Sequence, residues 1–194
     1  MEKVYCIHRK EDVQRAQNIR GQLTKVRFDV EFVEPEAVDE EFEEVHFLNK
    51  AMDSLKRTTI KIIEQAKADD LDYVMIMEDD CVFDKHGMKT FLDSSKPEGF
   101  WFIHLNVVGN SARFGFDKEG IYTKLIKGEC CQFYIVSKDA YDDYLRLLKA
   151  NKMPIDYITS YMHQKYKKSW CVDPFPVKHI TGKYSTLKDS VVNY

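Results

Sequence analysis

The chain has 194 residues, of which 44% are hydrophobic and 13% aromatic, and its formal net charge at pH 7 is -3. This length and apolar content allow a buried core and exclude a disordered or fibrous protein. The small negative charge provides no general attraction to nucleic acid or to an anionic membrane, so a nucleic-acid partner is not expected. We expect one domain over residues 1–194, standing alone or as a module of a longer protein.

The cysteine pattern and the hydropathy of the sequence predict the cellular compartment of the protein. The five cysteines include no C-x-x-C pair, so neither a disulfide framework nor a zinc ribbon is indicated. The N-terminus lacks a signal-peptide pattern, and no apolar run approaches the roughly 18 residues that a membrane-spanning helix needs. These features predict a cytoplasmic protein with reduced thiols and no transmembrane segment.

The first half of the sequence alternates short apolar runs with helical patterns. Residues 4–8 (VYCIH) and 28–33 (FDVEFV) are typical of strands, and apolar residues recur at helical spacing over residues 11–23 between them. After an acidic segment, a longer amphipathic helix is predicted over residues 47–66. Residues 73–77 (YVMIM) show no polar alternation, which predicts a central parallel strand covered on both faces.

The second half continues the same alternation. Helices are predicted near residues 88–93, after Ser137, which can cap the helix that follows, and from Pro154 to about Lys167. Strands are predicted at residues 101–105, 121–125, 131–136 and 169–172. Because strands alternate with helices, the predicted fold is a single α/β domain with a mostly parallel central sheet flanked by helices.

Three consecutive carboxylates, Glu78, Asp79 and Asp80, follow the buried strand directly. In open α/β sheets ligands bind beyond the carboxyl ends of the strands, so the strand would present these acids at a binding site. Side chains alternate along an extended segment, so Glu78 and Asp80 are expected to point together and Asp79 away from them. Clustered carboxylates repel one another unless a cation neutralises them, and Mn²⁺ or Mg²⁺ suits such oxygen ligands. A polar turn after a strand is the alternative interpretation.

Two phosphate-using classes fit this acidic segment poorly. A phosphatase of the haloacid dehalogenase type needs an aspartate nucleophile in the first position of its motif, where this chain has Glu78. No G-x-x-x-x-G-K-[ST] run occurs in the sequence, which excludes a P-loop nucleotide hydrolase.

The segment VMIMEDDCVF resembles the acidic motif of GT-A glycosyltransferases. Further segments, in the same order along the chain, are similar to those of the family 25, lipopolysaccharide-biosynthesis type members: CIHRKEDVQRAQNI, FDVEFVEPEAVDE, GECCQFYIVSKDAYDDYL, PIDYI and VDPFPVKH. The chain departs from that family where Asp53-Ser54-Leu55 replaces a Ser-His signature and Ile7-His8-Arg9 replaces Leu-Asp-Arg.

The resemblance implies a GT-A-like fold and a defined reaction. The expected activity is that of an inverting hexosyltransferase in polysaccharide biosynthesis, which moves a sugar from a nucleoside-diphosphate donor, with UDP as the expected nucleotide, to a hydroxyl of a glycan or lipid-linked acceptor. The expected cofactor is Mn²⁺ or Mg²⁺, which neutralises the charge that develops on the diphosphate.

The same resemblance assigns roles to individual residues. Asp80 is the expected metal ligand, and His179 would complete the metal shell unless it is a solvated or structurally paired histidine. The expected donor contacts are Ile7, His8, Arg9, Glu78 and Asp79, with a surface arginine as the alternative interpretation of Arg9. Asp156 is the candidate general base, although aspartate in the first turn of a helix is also favoured by the helix dipole.

Two other functions use similar residues. A catalytically inactive protein on the same scaffold would bind a nucleotide sugar or a protein partner, and the intact Glu78-Asp79-Asp80 run counts against it. A Mg²⁺-dependent phosphohydrolase or nucleotidyltransferase would release phosphate or pyrophosphate without a sugar acceptor. The sequence lacks the Gly-rich, Lys-containing N-terminal signature of a sugar nucleotidyltransferase.

Overall fold

The computed structural model of the chain describes residues 2–24, 26, 28–38, 49–129, 132–179, 183–185 and 190–192. Its strands, in chain order, are β1 (Glu2–Ile7), β2 (Phe28–Val33), β3 (Tyr73–Glu78), β4 (Cys81–Phe83), β5 (Phe102–His104), β6 (Val108–Glu119), β7 (Tyr122–Glu129), β8 (Phe133–Ser137), β9 (Ser169–Val172), β10 (Val177–His179), β11 (Lys183–Ser185) and β12 (Ser190–Val192). Its α-helices are α1 (Val13–Leu23), α2 (Lys50–Ala68), α3 (Lys85–Asp93), α4 (Tyr141–Ala150) and α5 (Ile155–Tyr166).

Within the described residues, eight strands form one sheet in the order β2-β1-β3-β8-β5-β9-β7-β6. β2, β1 and β3 run parallel to one another, and β5 runs parallel to β9. β8 is antiparallel to both of its neighbours, and so is β7. Six of the eight strands therefore share one direction, which confirms the predicted α/β domain with a mostly parallel central sheet.

β3 is the central strand that the apolar run predicted, and side chains on both of its faces are buried. Val74 and Ile76 belong to one apolar cluster, whereas Met75 and Met77 belong to a second cluster on the opposite face. The prediction of a parallel strand was right for the β1 edge and wrong for the β8 edge, where the pairing is antiparallel. An unbroken apolar run indicates burial on two faces but contains no information on the direction of a neighbouring strand.

Helices cover both faces of the sheet. The first cluster combines sheet residues with the apolar faces of α2, α4 and α5. The second cluster includes Ile19 of α1 and both Met88 and Phe91 of α3. No helix in the described part of the chain is long and apolar enough to cross a bilayer.

The structure differs from the sequence prediction in several details. β6 was not predicted, because its sequence VGNSARFGFDKE lacks an apolar alternation. Ser137 does not cap the next helix: its side chain makes no capping hydrogen bond, and Lys138–Ala140 form a 3₁₀ turn before α4 begins. The predicted start of the long helix at residues 47 and 48 lies outside the described residues, as do Cys130 and Cys131, and within them α2 begins after Asn49, which accepts a hydrogen bond from the Met52 N–H at 2.9 Å.

Two histidines meet in the first cluster. The rings of His104 (β5) and His163 (α5) are 4.8 Å apart between centroids. His163 Nδ1 lies 2.7 Å from Ser169 Oγ, and its Nε2 is buried with no hydrogen-bond partner among the described residues. Burial, together with the nearby His104, lowers the pKa of His163 well below its usual range.

This lowered pKa predicts an acid-sensitive fold. The unfolded chain binds a proton at His163 below about pH 6.5 while the folded chain does not, so the contribution of His163 to the free energy of unfolding should fall by up to about 1.4 kcal/mol per pH unit below that value. Urea denaturation at pH 7.5, 6.5 and 5.5 measures this slope. His163→Gln should flatten the slope, and His86→Gln, at an exposed histidine of α3, should retain it. The same slope in all three proteins would contradict the assignment to His163.

Candidate active site

The carboxyl ends of β1 and β3 lie side by side. Ile7 is opposite Glu78 in the register of these two parallel strands. His8 and Arg9 therefore leave β1 at the point where Asp79 and Asp80 leave β3. The structure brings together residues from two distant parts of the sequence at the edge of the sheet where ligands bind in open α/β folds.

Asp79 joins the ends of the two strands. Its Oδ2 lies 2.7 Å from His8 Nδ1, and its Oδ1 accepts a hydrogen bond from Arg15 Nη1 at 3.1 Å. Burial raises the pKa of the Asp79 carboxyl, and the hydrogen bond with His8 and the charge of Arg15 oppose this rise. The side chains of His8 and Arg15 are thereby held next to the acidic segment.

Asp80 shares the same arginine. Arg15 Nη1 lies 3.8 Å from Asp80 Oδ2 as well as 3.1 Å from Asp79 Oδ1. The two aspartates therefore share one cation, and Asp80 is the carboxylate that acts most strongly on Glu78. β3 ends at Glu78, and the two aspartates form a turn before β4, so the alternation of an extended strand no longer applies to them.

The carboxyl of Glu78 is affected by three other carboxylates. Burial raises its pKa well above the usual range, and the negative charges of Asp80, Asp156 and Asp79 raise it further. Asp156, in the first turn of α5, thus lies close enough to the acidic corner formed by Glu78, Asp79 and Asp80 to act on its electrostatics. These acids are far apart in the sequence and converge in the fold.

Polar residues that the sequence did not single out support the acidic corner. Gln132 Nε2 lies 3.5 Å from Asp80 Oδ1, and Asn106 Nδ2 donates to Gln132 Oε1 at 2.6 Å. The Gln132 backbone carbonyl also accepts the Glu78 N–H at 2.7 Å. Neither Gln132 nor Arg15 was a candidate, because no local pattern distinguishes a buried polar residue from a solvated one.

His179 approaches the corner through its backbone. β10 pairs antiparallel with β4, and His179 is opposite Cys81, the residue that follows Asp80. The side chain of His179 lies outside the described residues. Among the side chains that are described, no three His, Cys, Asp or Glu residues form a group that could hold a metal ion.

The oxygen ligands of the acidic corner nevertheless suit a hard cation. Besides burial, the negative charges of neighbouring carboxylates raise the pKa of Glu78, so the corner has both oxygen ligands and an excess of negative charge. Mg²⁺ and related ions usually take only one or two protein carboxylates and complete their shell with water and substrate phosphate. The residues present are suited to an ion that binds together with a phosphate ligand rather than to a preformed protein cage.

A cleft of about 380 Å³ opens beside the acidic corner. Its walls are the loops after β1 and β2 and the first turns of α1 and α2. The lining contains all five predicted donor contacts, which are Ile7, His8, Arg9, Glu78 and Asp79. This volume lies within the range of about 300–1,000 Å³ that is usual for small-molecule sites. Arg9 is partly exposed in this cleft and donates to Glu11 Oε1 at 2.8 Å through Nε.

No family model and no curated protein matches the sequence. Among solved structures, the chain is similar to a glycosyltransferase involved in the glycosylation of the major capsid of PBCV-1, with 12% identity and a TM-score of 0.52 over 89% of this chain and 81% of that one. It is also similar to a mannose-1-phosphate geranyltransferase from Thermus thermophilus, with 10% identity and a TM-score of 0.48 over 91% and 75% of the two chains. The glycosyltransferase GlyE of Streptococcus pneumoniae shares 8% identity, with a TM-score of 0.47 over 89% of this chain and 45% of that one.

The likeness to the PBCV-1 protein is one of fold. It confirms the predicted GT-A-like fold. At this level of identity, the chemistry has to be argued from the side chains of this chain itself.

Proposed function

We propose that the chain is a metal-dependent glycosyltransferase of the family 25 type. Its donor would be a nucleoside-diphosphate sugar, with UDP as the nucleotide, and its acceptor a hydroxyl of a glycan or of a lipid-linked saccharide. The observation that supports this proposal is a convergence within a GT-A-like fold: all five predicted donor contacts line one cleft, and that cleft adjoins the acidic corner.

The residues of the cleft suit a nucleoside diphosphate. Arg9 and His8 lie at the end of β1, where they would contact the phosphates or the nucleoside. The carboxylate oxygens of Glu78 and Asp79 are hydrogen-bond acceptors for hydroxyl groups of the donor. Asp79 is already oriented by His8 and Arg15, so a ligand would meet a side chain that is largely fixed.

A metal would be held by Asp80 and His179. When bound, Mn²⁺ or Mg²⁺ supplies Lewis-acid stabilisation of the diphosphate leaving group. The contacts of Asp80 with Arg15 and Gln132 keep its carboxylate at the edge of the sheet. The register of β4 and β10 supports His179 as the second ligand, because its backbone lies beside Cys81.

Asp156 would be the general base of an inverting reaction. It stands apart in sequence from the donor contacts but is near enough to Glu78 to raise that residue's pKa. A carboxylate in this position would accept the proton of an acceptor hydroxyl as that oxygen attacks the sugar.

Isothermal titration calorimetry tests the proposal. UDP and GDP are each titrated, with and without Mn²⁺, into three proteins: the wild type, Asp80→Ala and Asp72→Ala. Asp72 is an exposed aspartate at the opposite end of β3, so Asp72→Ala is the control. We expect Mn²⁺-dependent binding of UDP to the wild type and to Asp72→Ala, and affinity at least about tenfold weaker in Asp80→Ala, because that variant loses the metal ligand.

The same samples separate the alternative functions. UDP release from a UDP-sugar in the presence of Mn²⁺ supports an active transferase, whereas tight binding without any release supports an inactive scaffold. Release of inorganic phosphate or pyrophosphate without a sugar acceptor supports the phosphohydrolase or nucleotidyltransferase. If no nucleotide binds under either condition, the proposal is wrong and the acidic corner is a structural turn.

A further inference from the structure

Arg15 occupies a cation position within the acidic corner. Its Nη1 lies 3.1 Å from Asp79 Oδ1 and 3.8 Å from Asp80 Oδ2. The Arg15 side chain is 19% exposed, and those of Asp79 and Asp80 are 6% and 10% exposed. Because little water reaches these groups, their attraction is screened far less than that of a surface ion pair.

Arg15 also faces the cleft. It is one of the cleft-lining residues, beside His8 and Arg9. The guanidinium is therefore within reach of two anionic partners, the aspartates behind it and any phosphate that enters the cleft in front of it. Arginine binds phosphate through two parallel N–H groups, which makes phosphate a strong competitor for this side chain.

A divalent cation held by Asp80 and the Arg15 guanidinium oppose each other. Both are positive, and both lie beside the Asp80 carboxylate, so each weakens the binding of the other at this corner. A diphosphate changes the balance, since it offers Arg15 a new partner and gives the metal additional oxygen ligands.

We propose that Arg15 is a built-in counter-ion that keeps Mn²⁺ or Mg²⁺ out of the acidic corner until a diphosphate enters the cleft, and that it then pairs with the diphosphate. This inference rests on the proposed function. It makes the order of binding a property of the chain: metal binding alone is weak, and metal and donor strengthen each other by the same factor.

Electron paramagnetic resonance of free Mn²⁺ measures the binding of Mn²⁺ alone. Arg15→Gln removes the counter-ion and should bind Mn²⁺ without nucleotide about tenfold more tightly than the wild type, a typical size for a coupling between two sites. Arg20→Gln is the matched control, since it removes the same charge from the same helix. Arg20 lies over the Phe32 ring at 4.6 Å, and the affinity of this control variant for Mn²⁺ should stay within about threefold of the wild type.

Arg15→Lys tests the second half of the proposal and keeps it testable if Arg15→Gln does not fold. The lysine retains the positive charge, so binding of Mn²⁺ alone should match that of the wild type. It lacks the planar pair of donors, so UDP binding in the presence of Mn²⁺ should weaken about fivefold. Circular dichroism establishes that each variant is folded.

The results separate this inference from the proposed function. If the wild type binds UDP with Mn²⁺ but Arg15→Gln binds Mn²⁺ alone no more tightly than the wild type, the counter-ion role is wrong and the proposed function stands. Unchanged UDP affinity in Arg15→Lys overturns the pairing with diphosphate. If no variant binds Mn²⁺ or UDP, the proposed function itself fails.

Discussion

Asp156→Asn is expected to slow UDP release from a UDP-sugar by about 10²–10⁴-fold, the usual contribution of a general base. Asparagine keeps the shape of the side chain but cannot accept a proton. The expected loss is in the rate and not in donor binding, because Asp156 lies outside the lining of the donor cleft. Rates are measured at saturating UDP-sugar and Mn²⁺, with water or an added saccharide as acceptor, and UDP affinity is measured by calorimetry.

A matched variant distinguishes catalysis from helix capping. Asp142→Asn removes the same charge from the first turn of α4, where Asp142 lies away from the acidic corner and pairs with Lys67. This variant should retain the wild-type rate. If Asp156→Asn also retains the wild-type rate and only lowers thermal stability, then Asp156 serves the dipole of α5 and is not the base.

Phe133→Ala is expected to lower the free energy of unfolding by about 3–5 kcal/mol, the cost of removing a buried phenylalanine ring. Phe133 of β8 is 0% exposed, and its ring centroid lies 5.9 Å from that of Phe28 and 6.0 Å from that of Phe83. The ring therefore links β8 to β2 and to β4, and alanine would leave a cavity between them. Urea denaturation of the two proteins measures the difference.

Phe116 provides the control for this stability prediction. Its side chain is 106% exposed in β6, so Phe116→Ala should change the free energy of unfolding by no more than about 0.5 kcal/mol. Equal losses in the two variants would mean that the second apolar cluster does not depend on Phe133.

The sequence predicted the parts of the site whose signals are local. Glu78 ends an apolar run, and His8 ends another, so the composition changes at the residues where the strands stop. Because parallel strands bring their carboxyl ends to one edge, these strand-end positions agree with the shared site that the family resemblance implied. The observed pairing of Ile7 with Glu78 confirms that these two ends are neighbours.

The remaining parts depend on contacts between distant residues. Arg15 and Asp79 form a hydrogen bond although they are 64 positions apart in the sequence. In the sequence, Arg15 cannot be distinguished from any other polar residue of an amphipathic helix. β8 is as apolar as β3, so its reversed direction is not visible in its composition. β10 was not predicted at all, although the order of the motifs had already singled out His179.

The pairing of β4 with β10 has a consequence for the time at which the acidic corner is completed. His179 and Cys81 come from opposite halves of the chain, so β4 is synthesised well before β10, and the chain folds from its N-terminal part onward during synthesis. A nascent chain that has already built β1 and β3 would contain the acids but not their late partner strand. The proposed metal site would therefore be completed last, after the strands that carry its carboxylates are in place.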